Sequence, residues 1–257
     1  MKTLLYSCLA VLLCVRASAV EISIDAVAET SLFQSNPNNN LGASTLAAGT
    51  TGGGQKSRAM FRFDVDAFIP ANAVIDSVTL TLELVREPQR VDGVGSTFDL
   101  FQLNVDWGEG DKAGNTGTTA TAGEATWNHR LFGTALWTQP GAAAGSDYDS
   151  QSSAALFMDT LGTHTYASTP ALVADVQSWV DNPASDFGWI LISQNEAATG
   201  SARRFGSTEE ISSGPAPRLN LSYTVPEPGT AISLLGGIGM LVGLRRRRVS
   251  GMSHVAG

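Results

Sequence analysis

The chain has 257 residues, a formal net charge of −8 and two cysteines, Cys8 and Cys14. Between residues 20 and 224, ten Lys and Arg face 23 Asp and Glu, a net charge near −13, which removes the attraction for phosphate backbones that a nucleic-acid partner requires. The same span has no cysteine, so disulfides, thiolate metal sites and cysteine catalysis are excluded there.

Lys2 opens a charged start, residues 4–15 are apolar, and Ala17-Ser18-Ala19 fits the small-x-small cleavage rule. Residues 1–19 read as a secretory signal peptide, with Val20 the first mature residue. A lipoprotein reading fails on both cysteines: Leu13 is too bulky before Cys14, and Cys8 has almost no apolar run ahead of it. The mature span of about 205 residues must then be stabilised by a hydrophobic core, and it is long enough to bury one.

That span consists of short alternating runs separated by Gly, Asn, Ser, Thr and Pro clusters. The clearest covers 74–85, where Val78, Leu80, Leu82 and Leu84 share one face while Thr79, Thr81 and Glu83 share the other. Further strands are expected over 22–27, 59–65, 98–105, 187–193 and 219–225, a pattern that predicts an all-β sandwich or barrel. One helix interrupts it. Leu172, Val173, Val176, Trp179 and Val180 recur at helical spacing, Thr169 can cap the start, Pro170 suits the first position and Asn182-Pro183 stops it. The Asn- and Gly-rich stretches 36–55 and 108–123 are expected to be surface loops, and no fixed-period repeat is present.

Catalytic constellations are missing from the residues. His129 and His164 stand in no metal-binding spacing, and no nucleophile elbow, His-Glu-x-x-His or phosphate loop occurs. Carboxylate pairs such as Glu209 with Glu210 and Glu109 with Asp111 would serve a glycosidase, but 23 acids produce such pairs by chance. No enzyme is therefore expected. Structural calcium is the better chemical candidate, because hard cations take carboxylate oxygens at strand ends. Asp25 with Glu29, and Asp64 with Asp66, alternate so that each pair projects to one side; solvated carboxylates satisfy the same pattern. For sugar binding, Trp137 is the candidate exposed platform, whereas Trp107, Trp127, Trp179 and Trp189 are expected to pack. Arg130, Arg203 and Arg204 would supply cations to an acidic polysaccharide.

The chain ends on a three-part signal. Val225-Pro226-Glu227-Pro228-Gly229-Thr230 leads into an uncharged run over 230–244, and Arg245, Arg246, Arg247 and Arg248 follow. As a helix the run would rise about 22 Å, short of a hydrocarbon core of roughly 30 Å, and the arginines would hold its end in the cytoplasm. A simple membrane anchor satisfies these features. The three-part combination also resembles the PEP-CTERM sorting tail of Gram-negative bacteria that make exopolysaccharide. That resemblance implies transient insertion in the inner membrane, processing by an exosortase, and passage of residues 20–224 to the cell surface or extracellular matrix. Residues 249–257 would form a short cytoplasmic extension.

Residues 20–224 carry a second resemblance. The ordered words Phe61-Arg62-Phe63-Asp64-Val65, Ile69-Pro70-Ala71-Asn72-Ala73-Val74-Ile75, Trp107-Gly108-Glu109 and Glu124-Ala125-Thr126-Trp127-Asn128 are followed by Asp186-Phe187-Gly188-Trp189-Ile190. Phe205-Gly206-Ser207-Thr208-Glu209, Pro217-Arg218-Leu219 and Tyr223 close the series. This order is similar to that of the DNRLRE family of extracellular domains, related to carbohydrate-binding modules. The resemblance implies a two-sheet jelly-roll sandwich, carried as an accessory or adhesive module, some of whose relatives bind acidic polysaccharides. Two functions are expected from it: a polysaccharide-binding surface module, or a structural matrix protein with no defined ligand. A polysaccharide-cleaving enzyme is the distant third.

Overall fold

The computed structural model describes residues 18–88, 95–210 and 214–226. The expected signal peptide, apart from its last two residues, and the tail from Glu227 onward lie outside the described residues. Ala19–Thr224 forms a compact unit whose buried core comes from its own residues, the requirement for a segment that folds by itself.

Among the described residues fifteen strands and one α-helix run in the order β1 (Ala19–Asp25), β2 (Ala28–Phe33), β3 (Asn39–Asn40), β4 (Leu46–Thr50), β5 (Lys56–Arg62), β6 (Val74–Arg86), β7 (Ser96–Gln102) and β8 (Thr118–Thr119). β9 (His129–Leu131), β10 (Ala135–Leu136), β11 (Ala154–Met158), β12 (Gly162–Tyr166), α1 (Pro170–Asp181), β13 (Trp189–Ser193), β14 (Arg203–Phe205) and β15 (Arg218–Thr224) complete the unit. The strands form an all-β sandwich. In one sheet β1 pairs with β15 and β15 with β6, and β6 also carries β12 and β14. In the other, β5 lies between β2 and β13, and β13 continues to β7 and β11. The short β4 belongs to both, pairing with β14 on one side and β5 on the other; every named ladder is antiparallel. Two small ladders, β3 with β8 and β9 with β10, lie apart from the main sheets.

β6 realises the alternation of its sequence: Val78, Leu80, Leu82 and Leu84 are buried, and Thr79, Thr81 and Glu83 are half-buried on the other face. Stretch 36–55 departs from the loop expected there. Leu46-Ala47-Ala48-Gly49-Thr50 is a wholly buried strand, because small side chains let it lie close between two sheets. Gly49, at φ +107°, stands where an added Cβ would meet the Ser201 carbonyl oxygen at 2.5 Å. Asn40, expected on the surface, is fully buried. Its amide nitrogen donates to the carbonyls of Glu109 at 2.6 Å and Ala125 at 3.0 Å, and its oxygen accepts from the backbone N–H groups of Gly42 and Lys112. Burial of an amide costs little when its hydrogen bonds are met in this way.

α1 begins as its sequence predicts, with the Thr169 hydroxyl accepting from the Leu172 N–H at 3.0 Å and Pro170 in the first turn. Leu172, Val176, Trp179 and Val180 are buried, and Gln177 anchors the helix to β6 by accepting from the Ile75 N–H at 2.9 Å. Trp179 meets Trp189 edge to face with ring centroids 4.4 Å apart. Among the described residues no helix is long and apolar enough to cross a membrane; the apolar run 230–244 lies outside them.

Candidate functional site

All five tryptophans are buried. For Trp107, Trp127, Trp179 and Trp189 that agrees with the packing expected of them. Trp137 is a correction: it is 4 % exposed and cannot offer its face to a sugar. Its indole N–H donates to the Thr126 carbonyl at 2.8 Å, and it shares an apolar cluster with Trp107, Trp127, Leu32 and Ile190. The Pro140-Gly141 turn that made the segment read as exposed instead folds back over Trp127, with the Gly141 N–H on the Trp127 carbonyl at 2.6 Å.

The three arginines named as cation donors separate. Arg130, on β9, donates to the Asp106 carbonyl at 3.1 Å. Arg203 is 1 % exposed and donates to the carbonyls of Gly200 and Ala202, so most of it is held inside the fold. Arg204, the next residue of β14, stays half-buried at the surface. Cross-strand register sets it directly opposite Arg86, the exposed last residue of β6. Sequence reasoning missed Arg86, which stands 118 positions from Arg204 and has no local motif.

Like charges directly opposed in a ladder destabilise a sheet. Neither arginine forms an ion pair among the described residues. The Arg204 guanidinium is instead held by neutral acceptors, at 2.6 Å from the Asn115 carbonyl, 2.9 Å from its amide oxygen, and 3.3 Å from the Thr45 carbonyl and hydroxyl. It lies over the Phe33 ring at 5.5 Å. Burial, and then the charge of Arg86, lower its pKa from the usual arginine value; Glu210 acts the other way. The pair stands between two clefts. One, of about 530 Å³, is lined by Phe33, Thr51, Asn115, Glu87, Arg203 and both members of the pair. The second, of about 500 Å³, shares Arg86, Asn115 and Arg204 and adds Ser44, Thr45 and Glu210. The arrangement puts two cations, a partly covered aromatic face and several hydroxyl and amide groups along one surface.

Of the carboxylates expected to pair, Asp25 and Glu29 are separated. The chain leaves one sheet for the other between them: the Ala26 N–H bonds to Pro217, beside β15, and the Val27 N–H bonds to Arg62 on β5. Asp25 is exposed and takes Arg218 at 2.7 Å, while Glu29 is 0 % exposed. Burial raises the Glu29 pKa to about 7, opposed by the Thr208 N–H and reinforced by Glu209 and Glu109. Asp64 and Asp66 do come together, at the exposed end of β5, and the Asp64 pKa is raised by desolvation and by its contact with Asp66. Asp186, in the segment before β13, has its pKa raised to about 7 by burial, with Asp64 adding to the rise. Among the described residues no group of three or more acidic, histidine or cysteine side chains is placed to hold a metal ion.

Residues 224–248 match the family model described as the PEP-CTERM protein-sorting motif. The match takes in Pro226, Glu227 and Pro228 and the four arginines Arg245, Arg246, Arg247 and Arg248; all but Pro226 lie outside the described residues. A tail of this kind marks an exported, exosortase-sorted surface protein whose sorting takes place at a membrane. No curated protein matches the chain.

Proposed function

We propose that the chain is a non-catalytic surface or matrix protein whose sandwich binds an anionic polysaccharide along the Arg86–Arg204 surface. The observation that carries the reading is the arginine pair set opposite one another, with no ion pair among the described residues, in a domain that is otherwise strongly acidic. Such a pair is costly in the empty protein and becomes favourable when carboxylate or sulfate groups lie across it. Hydroxyl and amide groups of Thr45, Asn115 and Thr116 flank the cations, as sugar hydroxyls require. The DNRLRE resemblance and the sorting tail supply the context: a module delivered to where exopolysaccharide lies.

A second reading has its own support. Burial of every tryptophan leaves no stacking platform of the usual kind, which favours a structural or adhesive matrix protein without a defined glycan. Calorimetric titration of the Ala19–Thr224 unit against neutral and acidic polysaccharides separates the two. Saturable heat with an acidic glycan, weakened by added salt and at least tenfold weaker in Arg204→Gln and Arg86→Gln, supports binding. Silence with every glycan from a cooperatively folded protein favours the structural reading.

A further inference from the structure

β1 and β15 pair along their whole length, and the register sets Ala19 opposite Thr224. Ala19 is the last residue of the expected signal peptide and Thr224 the first of the matched sorting tail, so both signals attach at one corner of the sandwich. That corner has an apolar rim. Thr224 also stands opposite Val74, the first residue of β6, which is 48 % exposed. Val20, opposite Tyr223, is 39 % exposed on the other face of the same strand end. Phe68, at 57 %, lies in the turns that lead into Val74: its N–H bonds to the Val65 carbonyl, and the Ala73 N–H bonds to that of Pro70. The exposed Leu161 belongs to the far end of β6, just before Gly162 pairs with Leu84.

Large apolar side chains gathered at one exposed end are stabilised when something covers them. The length of chain that follows says what does. Five residues, 225–229, separate Thr224 from the uncharged run 230–244, and fully extended they reach at most about 18 Å. The headgroup layer takes roughly 6 Å of that reach. With the run inserted, the corner therefore stands no further than about 12 Å from the lipid surface. The run's rise of about 22 Å, against roughly 30 Å of hydrocarbon, brings it closer still, since a short span thins the bilayer or draws its flanks inward. So tight a tether leaves little room for a soluble partner between corner and bilayer.

We propose that this corner rests on the lipid surface of the membrane while the tail is inserted, with Phe68, Val74 and Val20 entering the headgroup layer. The contact is apolar rather than electrostatic. Glu21, Asp66 and Asp76 are exposed beside these residues in the chain, so anionic headgroups would weaken it. A docked corner would fix residues 226–228 of the sorting motif at the membrane boundary, where sorting takes place. It would also turn the far end of β6, which carries Arg86, away from the bilayer. The inference rests on the sorting tail and is independent of polysaccharide binding.

The test uses residues 20–257 reconstituted in phosphatidylcholine nanodiscs. This span has no cysteine, so one introduced cysteine carries an environment-sensitive NBD label without background. Labels at Phe68→Cys and Val74→Cys should shift to the blue, gain about twofold in intensity and be quenched by nitroxide-bearing lipids, as groups at the headgroup and acyl boundary are. Labels at Leu136→Cys and Leu161→Cys, exposed elsewhere on the fold, should keep the emission they have in water. Phosphatidylglycerol in place of phosphatidylcholine should reduce the shift at 68 and 74. All four positions are exposed, so each variant should melt at the parent's Tm. Emission at 68 and 74 that stays as in water beside an inserted tail, read from a label at Ser233→Cys, would overturn the proposal. So would an equal response at all four sites, or a tail that does not insert, since either removes the oriented tether on which the docking depends.

Discussion

The indole N–H of Trp189 donates to the carboxylate of Asp175 at 2.7 Å, with both residues buried. Asp175 lies on α1 and Trp189 opens β13, so this polar contact fastens the helix to the sheet of β13 while Gln177 holds it to β6 of the other sheet. Burial raises the Asp175 pKa, and the Trp189 hydrogen bond works against that rise. Trp189→Phe keeps most of the ring packing but removes the donor. It should cost about 1 to 3 kcal/mol in urea unfolding, the range for a buried acceptor left unpaired. Adding Asp175→Asn should recover part of that loss, since a neutral amide is easier to bury; a double variant no more stable than the single would place the loss in ring packing instead.

Trp137 is a core residue, and its replacement should act on stability rather than on glycan binding. Trp137→Ala should destabilise the unit by about 3 to 5 kcal/mol, as large-to-small changes in a packed core do. The folded fraction at low temperature should keep the parent's affinity for any glycan found to bind.

Glu29 makes the protein's stability sensitive to pH. Its folded pKa, near 7, exceeds the ordinary 4.5, so the folded state holds the proton more tightly. Stability should be highest below about pH 4.5 as far as this group decides it. It should fall as pH rises towards 7 and then level off, by about 3 kcal/mol in all. Glu29→Gln should flatten that slope, and urea unfolding between pH 4.5 and 8 checks it.

The matched tail is separate from the expected signal peptide at residues 1–19, so a chain ending at Thr224 should still cross the inner membrane. Without the matched residues it should remain in the periplasm instead of reaching the surface. Fractionation with an antibody against the sandwich tests this; surface delivery of the truncated chain would show that the matched tail is dispensable.

Much of the architecture was legible because it is local. The alternation over 74–85 needs only the period of a strand, and α1 needs only Thr169, Pro170 and a helical apolar stripe. Strand β4 was not legible, since Leu46-Ala47-Ala48-Gly49-Thr50 has neither alternation nor bulk; its burial comes from the two sheets that close on it. Among candidate site residues, Arg204 and Glu29 were singled out from sequence, but for partners that proved wrong: Arg203 is inside, and Asp25 belongs to the other sheet.

The sequence by itself determined what depends on neighbours along the chain: the all-β class, the capped helix, the lack of cysteine after Cys14, and a sorting tail written as one continuous signal. Only the tertiary structure decided which residues meet. Arg86 faces Arg204, Glu109 lies against Glu29, and Trp137 turns inward, across separations that no local pattern encodes. The reason is physical. Strand period says which side of a strand a residue takes, but strand order and register, set by the closing of the whole core, say what stands opposite it.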